Sequence, residues 1–418
     1  MTTANTRIMQ QQDQVQRHLA SNPIPTDEPS ISRPAWLVSG WSARLVRSGI
    51  LLNILLLALA RYRSLRRARA AMKALDQLRL RHRKAGARPR YLRHGLRFFV
   101  NLNTPGWPSR PFNRFVGQQF RKIDGQGPTL SLVLLAITKK CGFRCEHCFE
   151  WENLNKAEAM TGTDLNQILQ RFSDMGVSQV QLSGGEPMNR FSILTSLLAP
   201  LRGKMDAWLY TTGYSLTRER ALSLKMDGLT GVIISIDDHR PEHHDRFRGV
   251  PGAWNKAMQA VEAARNAGLL VAYSCCTTNA FVCLENLWNY YRFSRKSGAH
   301  FIQFLEPRAV GHYAGQDVEL GPEQRSILED FYESIDNEND RWTTPIVSFH
   351  GYHARKVGCS GRARDYVYVD TDGDVHACPF CSRKLFSAMD EDLDDKMESL
   401  RLGGCPTPSY DHPKKASI

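Results

Sequence analysis

Three cysteines fall within eight residues in the stretch Cys141-Gly-Phe-Arg-Cys145-Glu-His-Cys148. Thiolates spaced this way can each hold one iron of a cubane iron–sulfur cluster, and the remaining iron, lacking a protein ligand, stays open to another molecule. The competing chemistry is a zinc knuckle with His147 as an extra ligand. Zinc sites usually pair cysteines about two to four residues apart and repeat the pair at a distance, and no matching second half lies nearby. A further chemical feature follows the strand-like run 178–182: Ser183-Gly-Gly-Glu-Pro187. Glycines suit a turn that a ligand approaches so closely that no Cβ is tolerated.

A three-cysteine loop after one strand and a Gly-Gly-Glu-Pro turn after the next together resemble the radical S-adenosylmethionine (radical SAM) enzymes. The resemblance covers about residues 129–310. It implies that Cys141, Cys145 and Cys148 hold a [4Fe–4S] cluster and that SAM chelates the open iron through its amino and carboxylate groups. Gly184, Gly185 and Glu186 would then approach the SAM ammonium group. The residue before the last cysteine is usually a large aromatic near the adenine, and here it is His147, whose imidazole can stack. Ser235 and Asp237 close a strand in Ile234-Ser-Ile-Asp-Asp238 at positions that in the family contact SAM or substrate.

A second cysteine set comprises Cys359, Cys378, Cys381 and Cys405. Alternating apolar residues on either side of Asp372-Gly373 read as a β-hairpin, which would return Cys378 and Cys381 to face Cys359. This spacing resembles the opening of the SPASM extension of radical SAM enzymes, in a shortened, twitch-type form implying one auxiliary [4Fe–4S] cluster. With Cys405 as ligand every iron is closed; without it, substrate can bind the open iron. Zinc is the alternative for four thiolates.

These groups must be positioned by the elements around them. From residue 130 to 305 six apolar strand candidates alternate with helix candidates, which implies a parallel sheet with right-handed crossovers. The fold class is α/β, and the resemblance implies a partial (β/α)6 barrel, TIM-like, with an N-terminal helical arm and a small C-terminal hairpin and helix domain. Chemistry in such barrels sits at the C-terminal strand ends. Thr211-Thr-Gly213 falls there, as do Glu306, Arg308 and His312, where a substrate would lie. His239, His243 and His244 read as a solvated loop, and Cys275, Cys276 and Cys283 as buried inert thiols.

The expected organisation is a disordered tail over 1–35, a basic helical arm over 36–85, an irregular proline-bearing linker over 86–128, the barrel over 129–310 and the auxiliary cluster domain over 311–418. The formal net charge of +13 is uneven: residues 44–97 hold sixteen Lys and Arg against the single acid Asp76, a local +15, so the rest of the chain sums to about −2. The barrel lacks the interleaved basic and aromatic residues of a nucleic-acid face, so no nucleic-acid partner is expected. Ten cysteines clustered in loops read as metal ligation in a reducing compartment, hence the cytoplasm.

The arm's apolar centre, Gly49 to Ala60, is twelve residues. That is about 18 Å of helix, and crossing a bilayer needs roughly twenty residues, so a transmembrane span is not expected. Leu65, Met72, Leu75 and Leu78 continue as an amphipathic face. An interfacial helix at the inner face of a membrane competes with an arm packed on the barrel or on a second subunit, and a signal peptide is a further option.

The resemblance implies reductive cleavage of SAM to a 5′-deoxyadenosyl radical that takes hydrogen from a substrate C–H, with an electron donor such as flavodoxin or ferredoxin. A SPASM-like extension makes a peptide or protein the first substrate expected; the apolar arm suggests a membrane lipid or other amphiphile as the alternative. A non-catalytic, metal-stabilised binding scaffold stands against both.

Overall fold

The structure is a computed structural model that describes residues 35–81, 90–335 and 345–403. Most of the expected tail, and Cys405, lie outside these residues.

Strand β1 (Ala35–Val38) leads into helix α1 (Gly40–Tyr62), followed by α2 (Leu65–Arg81). The expected single arm is two helices because Arg63 adopts a left-handed conformation, φ 50°, with its N–H on the Leu59 carbonyl. At 23 residues α1 is longer than its apolar centre suggested, and it is long and apolar enough to cross a membrane. Its inner face is packed: Ile54 and Ala58 bury against Ala68 and Ala71 of α2. In α2 the inward residues are Ala68, Ala71, Met72 and Leu75, whereas Leu65, expected on that face, is exposed.

From Arg90 onward, the region expected to be an irregular linker is folded. Strands β2 (Tyr91–His94) and β3 (Arg97–Phe99) complete an antiparallel sheet of order β1-β2-β3, and α3 (Arg110–Ile123) follows. The prolines misled because Pro111 lies in the first turn of α3, where its missing N–H costs nothing. The Ser109 hydroxyl caps that turn by accepting from Phe112 N–H at 3.0 Å. Phe112, Val116 and Phe120 of α3 receive the inner faces of α1 and α2.

The central unit alternates β4 (Leu132–Ala136), α4 (Gly162–Asp174), β5 (Gln179–Ser183), α5 (Phe191–Leu198), β6 (Asp206–Thr211), α6 (Arg218–Asp227) and β7 (Leu229–Ser235). It continues through α7 (Pro241–Arg248), α8 (Ala253–Asn266), β8 (Leu270–Cys276), α9 (Leu284–Ser297) and β9 (Phe301–Leu305). After α10 (Pro322–Ser334) come β10 (Ile346–Phe349), α11 (His350–Val357), β11 (Tyr366–Val369), β12 (Asp374–His376), β13 (Phe386–Ser387) and α12 (Leu393–Leu402).

The strands form one open sheet of order β10-β9-β8-β7-β6-β5-β4-β11-β12-β13, a partial barrel. Six parallel strands are as expected, but β10 adds in parallel to β9, and β11 adds in parallel to β4. The cysteine-bearing C-terminal hairpin is therefore continuous with the barrel sheet. Its turn is as read from the sequence, with Gly373 at φ 82° and Tyr368 paired to His376.

The β2–β3 hairpin closes the N-terminal end of the barrel. Leu92, Phe99 and Leu102 pack on Trp208, Ile233, Leu270 and Phe301. Arg97 pairs with Asp206 at the start of β6, and Gln179 at the start of β5 donates to the Leu102 carbonyl at 2.9 Å. Sealing this end leaves the C-terminal strand ends for chemistry.

Candidate active site

The loop of Cys141, Cys145 and Cys148 leaves the C-terminal end of β4 and is braced by distant segments. Asn155 brackets Cys141, accepting from its N–H at 3.1 Å and donating to its carbonyl at 3.0 Å. The Arg248 and Phe247 carbonyls accept from the N–H groups of Arg144 and Glu146 at 3.2 and 3.0 Å. On another side His312 donates its N–H to the Cys148 carbonyl at 2.9 Å, places Nδ1 3.0 Å from the Cys145 carbonyl and stacks on Trp151 at 3.8 Å. His312, expected to meet substrate, thus supports the loop.

The glycine turn is bonded to the stem of the same loop. Gly185 and Glu186 N–H donate to the Thr138 and Lys140 carbonyls, each at 2.8 Å. A Cβ on Gly184, whose φ is 131°, would sit 2.5 Å from the Thr138 oxygen, and one on Gly185 would sit 2.5 Å from the Lys140 oxygen. Close approach does demand glycine here, but the chain that approaches is the cysteine loop itself. The Glu186 carboxylate is turned to β6, accepting from Thr211 Oγ1 at 2.8 Å, Thr212 N–H at 2.7 Å and Thr212 Oγ1 at 2.6 Å. It fixes the turn to the next strand, and Thr211-Thr-Gly213 supplies its partners.

Asp237 is equally committed. Its Oδ2 accepts from Arg248 Nε at 2.6 Å and its Oδ1 from Cys276 N–H at 3.0 Å. Burial works to raise its pKa, but Arg248 and the neighbouring histidines outweigh it and hold the carboxyl below its ordinary range. Arg248 in turn sits 3.6 Å from Cys145 Sγ through a terminal N–H. Burial opposes its charge, yet Asp237 more than compensates and its pKa is raised. Arg248 is the residue that sequence reasoning missed, since nothing near it in the chain marks it as a partner of Cys145. His244 is buried in α7 rather than solvated in a loop, and its Nδ1 accepts from Asp237 N–H at 3.2 Å. Cys275 and Cys276 are buried as expected, but Cys283 is exposed because it precedes the first turn of α9.

These groups border a cavity of about 890 Å³ whose wall includes Cys141, Cys145, His147, Cys148, Gly184 and Gly185. Ser235, Arg248, Ser274 and Gln303 contribute polar groups to it, and Glu306 and Arg308 reach it as a buried ion pair. Glu186 and Asp237 are not among the lining residues. Cys359 and Cys378 line the same cavity. Both lie on one side of Gly361, where an added Cβ would be 3.5 Å from Cys359 Sγ and 3.5 Å from the Cys378 side chain. Cys381 is buried, its N–H donating to the Cys378 carbonyl at 3.0 Å and its carbonyl 2.8 Å from His376 Nδ1.

The residues suit the groups the sequence implied. Three free thiols share one cavity wall, and among the described residues no three His, Cys, Asp or Glu side chains converge on a single ion. Cys141 and Cys148 pack against the same small cluster as Cys145 and Phe143. Burial pushes the Cys141 and Cys148 thiols up to about 11 and about 12, so deprotonation is coupled to metal binding. The His147 ring stacks on Phe247 at 4.8 Å, and its Nδ1 is buried without a hydrogen-bond partner. Burial first, then Arg248, lowers its pKa to about 4, which keeps the ring neutral.

Comparison with known proteins agrees with this geometry. Residues 135–289 match the model of the radical SAM superfamily, and this part of the chain is a radical SAM domain. The cofactors of that superfamily are a [4Fe–4S] cluster and SAM. The chain is 26% identical over 216 residues to an AdoMet-dependent heme synthase of Nitratidesulfovibrio vulgaris, covering 51% of this chain and 58% of that protein. It is 25% identical over 271 residues to a GTP 3′,8-cyclase of Xanthomonas axonopodis pv. citri, covering 62% of this chain and 76% of the cyclase. Streptococcus suis SuiB bound to its precursor peptide SuiA shares the fold, with a TM-score of 0.55 at 14% identity over 71% of this chain and 72% of SuiB. The chain thus spans little more than half of the heme synthase, and these relatives are named for different substrates.

Proposed function

We propose that the protein is a radical SAM enzyme with one catalytic and one auxiliary [4Fe–4S] cluster. The observation that carries this is a single cavity bordered by Cys141, Cys145 and Cys148, by Gly184 and Gly185, and by Cys359 and Cys378. When bound, the first cluster and SAM supply one-electron cleavage of the sulfonium and removal of hydrogen from an unactivated C–H bond. Arg248 directs a cationic N–H at the Cys145 sulfur, and Asp237 and His244 hold Arg248 in place. Glu186 fixes the turn whose backbone faces the SAM ammonium group. His147 offers a neutral ring for the adenine, and Ser235 a hydroxyl for SAM. Cys359, Cys378 and Cys381, with Cys405, hold the auxiliary cluster. A small electron-transfer protein, a flavodoxin or ferredoxin in the cytoplasm, is the matching reductant.

Two substrate classes are supported by different observations. A peptide or protein is supported by the SPASM-like spacing and by the fold shared with SuiB, whose structure holds a precursor peptide. An amphiphile is supported by the cavity of this chain, because Ile50, Leu51 and Ile54 of the apolar arm form part of its wall. The geometry favours the amphiphile.

The test is iron and sulfide content after anaerobic reconstitution, together with reductive SAM cleavage. In wild type about eight irons are expected, falling to about four in Cys141→Ala/Cys145→Ala/Cys148→Ala, with cleavage lost. Cleavage retained in the variant, or zinc in place of iron, would return the scaffold reading.

A further inference from the structure

The arm has two faces with different surroundings. Along the outer side of α1, Trp41, Leu45, Leu52 and Leu56 recur at steps of about one and two turns, and they are 75%, 63%, 58% and 57% exposed. An apolar stripe of this size on a single helix face, open to water, marks a surface that something covers. The inner side is tied to the protein along its length. Asn53 donates to Asn113 Oδ1 at 2.9 Å, Gly49 fits against the Trp107 ring, and both Arg61 and Tyr62 bond Asp124. A helix held this way lies along the surface and presents one stripe outward; to span a membrane it would have to shed those polar contacts.

Charge indicates what covers the stripe. Arg44 is exposed beside it at one end, and Arg63, Arg66, Arg67, Arg69 and Lys73 are exposed beyond the other. An apolar stripe flanked by cations, with a tryptophan near the helix start, is the pattern of an interfacial helix on anionic lipid. A second protein copy would bring the same cations against one another.

The cavity reaches this helix. Its wall runs from the cysteine loop through Leu134, Gln181 and Tyr210 to Phe112 and Phe115 of α3, and on to Ile50, Leu51 and Ile54 of α1. Near the clusters the wall carries Ser235, Arg248, Ser274 and Gln303; near the arm the apolar Ile50, Leu51, Ile54, Phe112 and Phe115 stand together with the cations Arg47, Arg90 and Lys122.

We propose that the outer face of α1 docks on an anionic phospholipid bilayer and that the cavity takes from it an amphiphile with a long apolar chain. The polar head of this substrate lies toward the clusters and its chain toward Phe115 and Leu51. The substrate half of the proposal rests on the radical SAM reading above; the docking half does not.

Flotation of the reconstituted holoprotein with vesicles of phosphatidylcholine, with and without phosphatidylglycerol, tests the docking. Binding is expected only with phosphatidylglycerol, and Leu45→Glu/Leu52→Glu/Leu56→Glu should lower the partition coefficient about tenfold or more. The thermal midpoint of that variant, whose altered side chains are exposed, should match wild type. Failure of wild type to float, or undiminished flotation of a folded variant, overturns the docking. A wild-type dimer in light scattering that the same substitutions dissociate assigns the stripe to a second copy and overturns it as well. Entry of the chain is read with dansylated undecanoic acid, whose fluorescence should rise with the holoprotein and not with Leu51→Arg or Phe115→Arg. No rise with wild type, or a rise unchanged in both variants, overturns the amphiphile site. Reductive SAM cleavage by wild type in the same preparation reports separately on the radical SAM reading.

Discussion

Arg248 shows how the cysteine loop depends on a residue more than a hundred positions away. The guanidinium joins Cys145 Sγ to Asp237, and both members of the ion pair are buried. Removing one partner of a buried pair strands the other charge, at a cost of about 3–5 kcal/mol. Asp237→Ala is therefore expected to lower the thermal midpoint even in cluster-free protein, by an amount that addition of SAM does not restore. A midpoint equal to wild type without cluster, with weaker SAM binding when loaded, would make Asp237 a cofactor contact instead. Glu186 follows the same logic, because its acceptor capacity is spent on Thr211 and Thr212 and its influence on SAM passes through the turn. Both acidic residues stood out in the sequence as possible cofactor contacts. Their partners lie on other elements, Arg248 on α7 and Thr211 on β6, so the sequence could not tell a ligand from a support.

Among the elements, β11 has the widest consequence. It pairs with β4 along Leu132 to Leu135 on one side and with β12 on the other. The first cysteine loop starts where β4 ends and the second cysteine set flanks the hairpin, so one ladder positions both. Lys139, at the base of the first loop, also reaches Asp372 in the hairpin turn at 2.6 Å. A proline within a central strand removes a ladder hydrogen bond and is poorly tolerated. Val367→Pro is thus expected to take iron from about eight to well below four per chain, because both cluster sites lose their footing. An iron content near four, with SAM cleavage retained, would mean that the C-terminal region folds independently of the barrel.

Across the whole molecule, the sealed end of the barrel stores a pH dependence. His300 accepts from Val271 N–H through Nδ1 at 2.9 Å, and His94 lies 3.0 Å from the Gly268 carbonyl through Nε2. Burial, then Lys225, lowers the His94 pKa to about 4, and burial, then His94, lowers that of His300 to about 3; on the cavity wall, burial alone lowers that of His350 to about 4. Folded chains keep these rings neutral while unfolded chains protonate them below about pH 6.5. Stability is therefore full above that pH and falls as pH drops toward 4. The thermal midpoint should decline from pH 7 to pH 5, and His300→Asn should decline less over the same interval. An equal decline in both would place the acid sensitivity elsewhere.

The sequence by itself determined the repeat and pointed to the candidate chemistry. Cys141, Cys145 and Cys148, the glycine turn and the alternation from β4 to β9 were legible because ligand spacing, tight turns and strand periodicity are local properties. The prolines of 86–128 hid a hairpin and a helix, since a proline that opens a helix and one that breaks a helix look the same without the cap beside it. Only the tertiary structure decided that Arg248 meets Cys145, that the C-terminal hairpin joins the barrel sheet, and that the arm forms part of the cavity wall. Each of these joins residues far apart in the chain, and the burial that drives them depends on which surfaces remain uncovered once every local element has formed.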